Sequence, residues 1–438
     1  MSAAQPSSSL HVQRGASLRG RICVPGDKSI SHRALLLAAI AEGTSRIENL
    51  LPSGDCRASL RAAEALAVEV EEFSPTRLEV HGRGLHGLRE PQRVLDCVRS
   101  GTTMRLLAGL LAGQPFLTVL SGDPQLLQRP MGRVVEPLRR MGATILGRAG
   151  GRLAPLAIEG GHLQGIDYPM PVASAQVKSA LLLAGLYAQG PTTLRVPGAA
   201  RDHTERMLAT MGATLDIQDW GVRLAPGERL GAVHTVVPGD LSSAAFLVVA
   251  ATLVAGSEVT VEGVGVNPTR TGFLDVLRAM GADVVVRDER LQGGEPIADL
   301  SVRASELCAT HVGGDVVVRM IDEFPALAVA ATQAHGETVV RDAAELRVKE
   351  TDRIATVVRE LRLLGAEIEA RPDGFVVNGP TPLMGTAVQS HGDHRLAMAL
   401  TVAGLVARAE TTVQDTTCIA DSFPGFEATL AGLGGRVS

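Results

Sequence analysis

The sequence predicts an α/β protein of two domains, each assembled from three copies of one unit of about 70 residues. Two periodic features predict it. A helix-ending phrase returns before a β-like stretch as LRRMGATI (138–145), LATMGATL (208–215), LRAMGADV (277–284) and LRLLGAEI (361–368), with weaker forms at AEALAVEV (63–70) and LAGLGGRV (430–437). Its glycines Gly142, Gly212, Gly281, Gly365 and Gly434 lie 70, 69, 84 and 69 residues apart, and six units of 73 would fill the 438 residues. The second feature is the opening of each unit, a polar turn followed by a small-residue apolar run.

Taken along the chain, residues 1–10 read as a frayed tail without the basic start or apolar core of a secretory signal. The openings follow at GDKSISHRALLLAAIA (26–41), SGTTMRLLAGLLAG (100–113), SAQVKSALLLAGL (174–186), GDLSSAAFLVVAA (239–251), DEFPALAVAATQA (322–334) and GDHRLAMALTVAGLVA (392–407). They predict six helices with an Ala-rich face, since Ala and Gly let helices approach closely. Segments such as SEVTVEGV (257–264) and GETVVRDA (336–343) alternate like strands. One unit holds too little to bury its own core, whereas three sharing helices make a domain of ordinary size. VPGD occurs at 24–27 and again at 237–240, bracketing three units. Read as paired linkers, these put one domain at 24–238 and the other at 1–23 plus 239–438, with a hinge near 24 and 238 over a cleft. Two ordinary turns before helices would leave the same trace.

Composition narrows the function. Hydrophobic residues make 45% and charged residues 20%, a folded protein, and 42 basic against 47 acidic residues leave a charge of −5. With two Tyr, one Trp and eight Phe as stacking platforms, a general nucleic-acid binder is disfavoured. The apolar runs at 244–255 and 396–407 are too short for a bilayer, for which about 20 residues are needed. Five scattered cysteines, never in a CxxC pair, fit a reduced cytoplasmic setting.

The openings also carry the candidate chemistry. A helix start leaves backbone N–H groups and the positive dipole end exposed, a ready anion site. Cations or hydroxyls stand in the first turns: Lys28, Ser29 and Arg33; Thr102 and Arg105; Ser174, Gln176 and Lys178; His394 and Arg395. No GxxxxGK[ST] occurs, so ATP use is unsupported. In LRVKETDRI (346–354), Lys349 and Arg353 are predicted on one helical face with Glu350 three before Arg353, the pattern of a surface ion pair or of a carboxyl set among cations. MIDEFP (320–325) sets Asp322 and Glu323 at a helix start, where Asp322 is either an N-cap or an acid of the site. HGDH (391–394) has the density of a metal site, yet HExxH and cysteine pairing are absent. RDHTE (201–205) reads as a capped surface loop with Arg201 as a phosphate candidate, and RPMGR (129–133) as a helix start with Pro130 in first position.

In order and spacing, PGDKSISHRALLLAA, SGTTMR, RPMGR, SAQVK, RDHTE, NPTR (267–270), RVKETDR, GDHR and SFPGF resemble the 5-enolpyruvylshikimate-3-phosphate synthase family, over roughly 20–430 and in particular its class II branch. The resemblance implies an inside-out α/β barrel fold of two domains with three βαβαββ-type units each. It implies transfer of the enolpyruvyl group of phosphoenolpyruvate to the 5-hydroxyl of shikimate 3-phosphate, with phosphate released, through a tetrahedral intermediate. No metal or organic cofactor is expected, no nucleic-acid or membrane partner, and a cytoplasmic monomer. Carried over by motif, Lys28, Gly101, Arg129, Gln176, Arg353 and Arg395 would surround phosphoenolpyruvate. Lys28, Ser29, Arg33, Ser174, Gln176, Arg201, Asp322 and Lys349 would hold shikimate 3-phosphate. Asp322 fits the base, Glu350 the acid, and Lys28 joins them as the third catalytic residue. Two phosphorylated acids held side by side need several cations to offset their repulsion. Cations beside Glu350 also favour its ionised form, the wrong one for a proton donor.

Two residues depart from the family pattern. Asp421 stands in IADSFP where some relatives have Lys, which removes one cation from phosphoenolpyruvate. Gly101 stands where some class II members carry Ala, whose methyl narrows the phosphoenolpyruvate pocket that glyphosate also occupies in the family. The alternatives are the same transfer onto a UDP-sugar and a non-catalytic anion-binding protein of the same fold. The first usually needs a Cys near 110–125, where this chain has none, and Asn rather than Ser after Lys28; the second should have lost some of Lys28, Asp322, Glu350 and Arg395.

Overall fold

The computed structural model describes residues 8–227 and 229–438. Every predicted opening is a helix: Lys28–Ala39, Gly101–Ala112, Ala175–Gly185, Leu241–Leu253, Phe324–Thr332 and His394–Val406. The recurring phrase ends a second helix in each unit, as at Gly132–Arg140, His203–Thr210, Gly272–Ala279 and Arg353–Leu363. After it the chain turns into a strand through a residue of positive φ: Gly142 at 111°, Gly212 at 93°, Gly281 at 97°, Gly365 at 93° and Gly434 at 101°. That is the left-handed helix stop at which glycine carries no Cβ penalty. The weakest copy, at 63–70, makes the same stop with Ala67 at 68°.

The strands form six four-stranded sheets among the described residues, and all six share one order. Numbering a sheet's strands as its unit uses them, the order is 1-2-4-3, with strand 1 parallel to strand 2. Strands 2 and 4 run antiparallel. Three sheets are closed by borrowed strands. His234–Val236 supplies strand 1 to the sheet of Glu42–Glu48, and Arg19–Cys23 supplies it to the sheet of Glu258–Gly265. Ser9–Gln13 completes the C-terminal sheet beside Thr411–Gln414. The expected tail over 1–10 is therefore corrected: Ser9 and Leu10 are paired strand, because the last unit lacks a fourth strand of its own, and residues 1–7 lie outside the described residues.

The chain divides into two compact units, one of 26–238 with 291–295, the other of 1–25, 239–290 and 296–438. Each has its own apolar core. Within each, the six-helix pattern puts helices inside and sheets outside. Leu241–Thr252 and His394–Leu405 are buried along their length, whereas the strand Glu69–Ser74 is largely exposed. The small residues make this possible: a Cβ on Gly109 would stand 2.0 Å from the carbonyl oxygen of Ala180, so those two helices touch backbone to backbone. No helix among the described residues is long and apolar enough to cross a membrane.

Ala67→Gly should stabilise the protein by about 1 kcal/mol, since an L residue in the left-handed region is strained by roughly that much and five other copies of this turn use glycine. Thermal melting of the variant checks it; a lowered Tm would show that the Ala67 methyl contributes more by packing than its φ costs.

Candidate functional site

In the unit 26–238, the N-terminal ends of three core helices come together. Asp27, Ser100 and Ser174 cap them, accepting from the backbone N–H groups of Ile30, Thr103 and Val177. None of the three carries an acidic residue in its first turn, so the dipole ends are left for other anions. Gln176 Nε2 donates to Thr102 Oγ1 at 2.8 Å, and Arg105 bonds both Gln176 Oε1 and the carbonyl of Pro130. A Cβ added to Gly101 would lie 3.1 Å from Arg105 Nη1 and 3.3 Å from Arg129 Nη1. Gly101, Arg105, Arg129 and Gln176 thus form one group. Lys28 is held beside it by Asp55, Nζ to Oδ2 2.5 Å, and Thr103 donates to the Asp55 carbonyl.

Arg33 makes its bonds within the protein. It is 3% exposed and donates to Thr204 Oγ1 at 2.7 Å, Ser179 Oγ at 2.7 Å and the Ser29 carbonyl at 2.8 Å. Burial pulls its guanidinium down to about 10, with Glu205 and Asp27 acting in the opposite direction. In this structure it ties the Lys28 helix to two others. RDHTE is corrected too: His203, Thr204 and Glu205 are buried in the helix His203–Thr210, because Thr204 meets Arg33 and Glu205 forms a 2.5 Å pair with buried Lys178. Arg201 and Ser29 stay partly accessible at the rim. Pro130 is not the first helical residue; the helix starts at Gly132, after the Arg129–Met131 turn that Arg105 grips.

A second buried chain runs behind this cluster. His32 Nδ1 meets Ser59 Oγ at 2.8 Å, Ser59 meets Thr103 Oγ1 at 2.8 Å, and Thr103 Oγ1 meets the Oγ of the capping Ser100 at 2.8 Å. It links the Lys28 helix to the Gly101 turn.

In the other unit, three further core-helix starts meet. Asp240 caps Leu241–Leu253 and Asp393 caps His394–Val406, whereas Glu323 occupies the N-cap position of Phe324–Thr332 without a side-chain cap bond. Asp322 is therefore no N-cap. Its carboxylate faces three cations, Arg353 at 3.3 Å, Lys349 at 3.9 Å and Arg395 at 3.9 Å. Glu350 bonds Arg353 Nη2 at 2.7 Å. The expected single helical face for Lys349 and Arg353 is corrected: the helix begins at Arg353, because Asp352 caps it by accepting from Ala355, and Lys349 lies in extended backbone before it.

Arg353 is the hub, 1% exposed and held by Asp393 at 2.8 Å. Burial works against its charge, but Asp393, Glu350 and Asp322 outweigh burial and raise its pKa. Burial likewise opposes ionising Asp393, and Arg353 beside it holds that carboxylate below its ordinary value. Removing one partner of such a buried pair costs about 3–5 kcal/mol. Glu323, fully buried, bonds Ser242 and lies 3.8 Å from Arg270 of NPTR.

Asp55, Asp393 and the Lys178–Glu205 pair escaped sequence reasoning as positioning groups, although SGD at 53–55 and GD at 392–393 have the look of cap turns. Asp421 is half-buried. Among the described residues no group of three or more His, Cys, Asp and Glu is arranged to hold a metal ion.

These clusters sit in a chain whose residues 12–430 match the family described as EPSP synthase (3-phosphoshikimate 1-carboxyvinyltransferase). A 3-phosphoshikimate 1-carboxyvinyltransferase of Citrifermentans bemidjiense is 54% identical over 422 residues, 96% of this chain and 98% of that protein. One of Desulforamulus reducens is 50% identical over 94% of this chain and 96% of its own length. Among solved structures, EPSP synthase from Acinetobacter baumannii superposes with a TM-score of 0.90 at 42% identity, covering 98% of this chain and 99% of that one.

Burial holds His32 down to about 3 from an ordinary 6.5, with the nearby Asp55 opposing that and Lys28 adding to it. Between those values the unfolded chain binds a proton that the folded chain refuses, so stability drops as pH falls through that window and is unaffected by this group above it. His32→Gln should flatten this part of the Tm-against-pH curve relative to the unsubstituted protein; parallel curves would show that His32 contributes nothing to acid sensitivity.

Proposed function

This chain belongs to the EPSP synthase family, and we propose that its two side-chain clusters divide that family's reaction between them. The reaction moves the enolpyruvyl group of phosphoenolpyruvate onto the 5-hydroxyl of shikimate 3-phosphate and releases phosphate. Both substrates are polyanions. The observation that carries our reading is the placement of Asp322, one carboxylate at a core-helix start with three separate cations within 3.9 Å.

Asp322 shares its cations with other carboxylates, Arg353 being held also by Glu350 and Asp393. Phosphate and carboxylate groups of the substrates compete for Arg353, Arg395 and Lys349, and each cation drawn away leaves Asp322 a stronger base. Asp322 then takes the proton of the 5-hydroxyl as its oxygen attacks C2 of phosphoenolpyruvate. Glu350, released from Arg353 in the same way, becomes able to carry a proton and gives it to C3, forming the methyl group of the tetrahedral intermediate. In the elimination C3 returns a proton to the Glu350 carboxylate, the C–O bond to phosphate breaks, and the hydroxyl proton held by Asp322 passes to the departing phosphate, whose charge Lys28 offsets.

Gly101, Arg129 and Gln176 with Lys28, Arg353 and Arg395 hold phosphoenolpyruvate; Ser29, Ser174, Arg201, Asp322 and Lys349 hold shikimate 3-phosphate, with Lys28 and Gln176 shared. Arg33 serves the second substrate, directly or by holding the Ser29 turn and the His203 helix through its three bonds. The backbone N–H groups of helix starts free of acidic residues supply the remaining contacts. We place the enzyme in the cytoplasm as a monomer, a setting that suits its five unpaired cysteines.

Asp322→Asn and Glu350→Gln should each reduce kcat by about 10²–10⁴-fold while leaving both KM values within a few-fold, measured as phosphate release that requires shikimate 3-phosphate. Near-normal turnover in either variant would sink its assignment. Gly101→Ala presses a methyl onto Arg105 and Arg129 and should raise KM for phosphoenolpyruvate about tenfold or more, the scale of one methylene-sized misfit, with KM for shikimate 3-phosphate unchanged; equal shifts in both would place Gly101 outside that subsite.

A further inference from the structure

The HGDH turn contains a histidine that the reaction leaves without a task. His391 lies between the strand Ala387–Gln389 and the helix His394–Val406, and its φ is 56°. That left-handed conformation strains a residue with a Cβ, so something must hold it. Glu360 does the holding. It lies on the helix that starts at Arg353 and is 1% exposed. Its Oε2 accepts from the backbone N–H of Gln389 at 2.9 Å, and its Oε1 accepts from Arg359 Nε at 2.9 Å and lies 2.8 Å from His391 Nε2, the nitrogen that Arg359 Nη2 also meets. Burial opposes its charge, yet these donors outweigh burial and keep its pKa below the usual glutamate value.

Seven residues, two helical turns, separate Glu360 from Arg353, so the two side chains leave the helix on one face. Arg353 grips Asp393 of the same turn at 2.8 Å. The helix Arg353–Leu363 therefore fastens residues 389–393 at two points, one in the site and one behind it. Ser390 braces the turn from within, donating to the Asp415 carbonyl at 2.6 Å and accepting from Gly392 N at 3.1 Å.

We propose that Glu360 is a positioning residue for the phosphoenolpyruvate subsite: by clamping Gln389 and His391 it keeps the strained turn in the conformation that sets Asp393 against Arg353 and Arg395 near Asp322. This rests on the reading that Arg353 and Arg395 hold phosphoenolpyruvate.

The test compares Glu360→Gln and Glu360→Ala by steady-state kinetics and by amide hydrogen exchange. KM for phosphoenolpyruvate should rise about tenfold in Glu360→Gln and further in Glu360→Ala, the scale of sub-ångström misplacement in a binding constellation, while KM for shikimate 3-phosphate stays within about twofold. Adding His391→Gly to Glu360→Ala should recover about threefold or more, because glycine enters the left-handed region without strain. An unchanged KM for phosphoenolpyruvate, a parallel rise in both KM values, or no recovery with His391→Gly overturns the proposal. If Glu360→Ala does not fold, His391→Gly in the Glu360→Gln background carries the same comparison. Arg395→Lys separates the two possible failures: a flat phosphoenolpyruvate KM there condemns the substrate assignment, and the clamp is then judged by exchange at residues 389–392. That exchange should quicken in the Glu360 variants, and unchanged protection overturns the clamp.

Discussion

Three helix N-termini meet at one end of each unit, and like-signed dipole ends repel unless negative charge answers them. The rest of the structure follows from that constraint. Aspartate or serine caps satisfy the first N–H groups at five of the six starts. Acidic residues are kept out of the first turns of all six, whereas outer helices such as Gly54–Ala65 and His203–Thr210 carry them freely. An anion-hungry end is therefore a product of the architecture before any basic side chain is added.

The side chains then divide into those that offer charge and those that hold the offer in place. Lys28 is steadied by Asp55, Gln176 by Thr102, and Arg353 by Asp393. In two of these pairs the holder is the more buried: Asp393 against Arg353, and Asp55 against Lys28. Burial makes each pair rigid, because a buried carboxylate released from its partner has no water to turn to. Arg353 keeps its charge against that burial because Asp393, Glu350 and Asp322 stand around it.

A carboxylate among three cations looks, in isolation, like a structural ion cluster. The cations around Asp322 and Glu350 are shared, not private: Arg353 meets both carboxylates, and guanidinium and ammonium groups also suit a phosphate or carboxylate ligand geometrically. On the mechanism proposed above, substrate arrival is coupled to proton chemistry through competition for charge, which answers the sign conflict raised by cations beside Glu350.

The amino-acid sequence by itself determined the repeat and the six inner helices, because periodicity and helix-start composition are local properties, whereas the residues proposed for the reaction came from motif resemblance. It did not determine which strand closes which sheet, since Ser9–Gln13, Arg19–Cys23 and His234–Val236 serve units far away in the chain. Nor did it separate Asp322 from Glu323, adjacent acids of which one faces three cations and the other is fully buried against Ser242. The internal ties of Arg33 to Thr204 and Ser179 had no trace in the sequence, and Lys349 read as helical and proved extended. Those outcomes depend on which neighbours reach a side chain from distant segments, and only folding decides that, because burial and partner charge are properties of the packed chain.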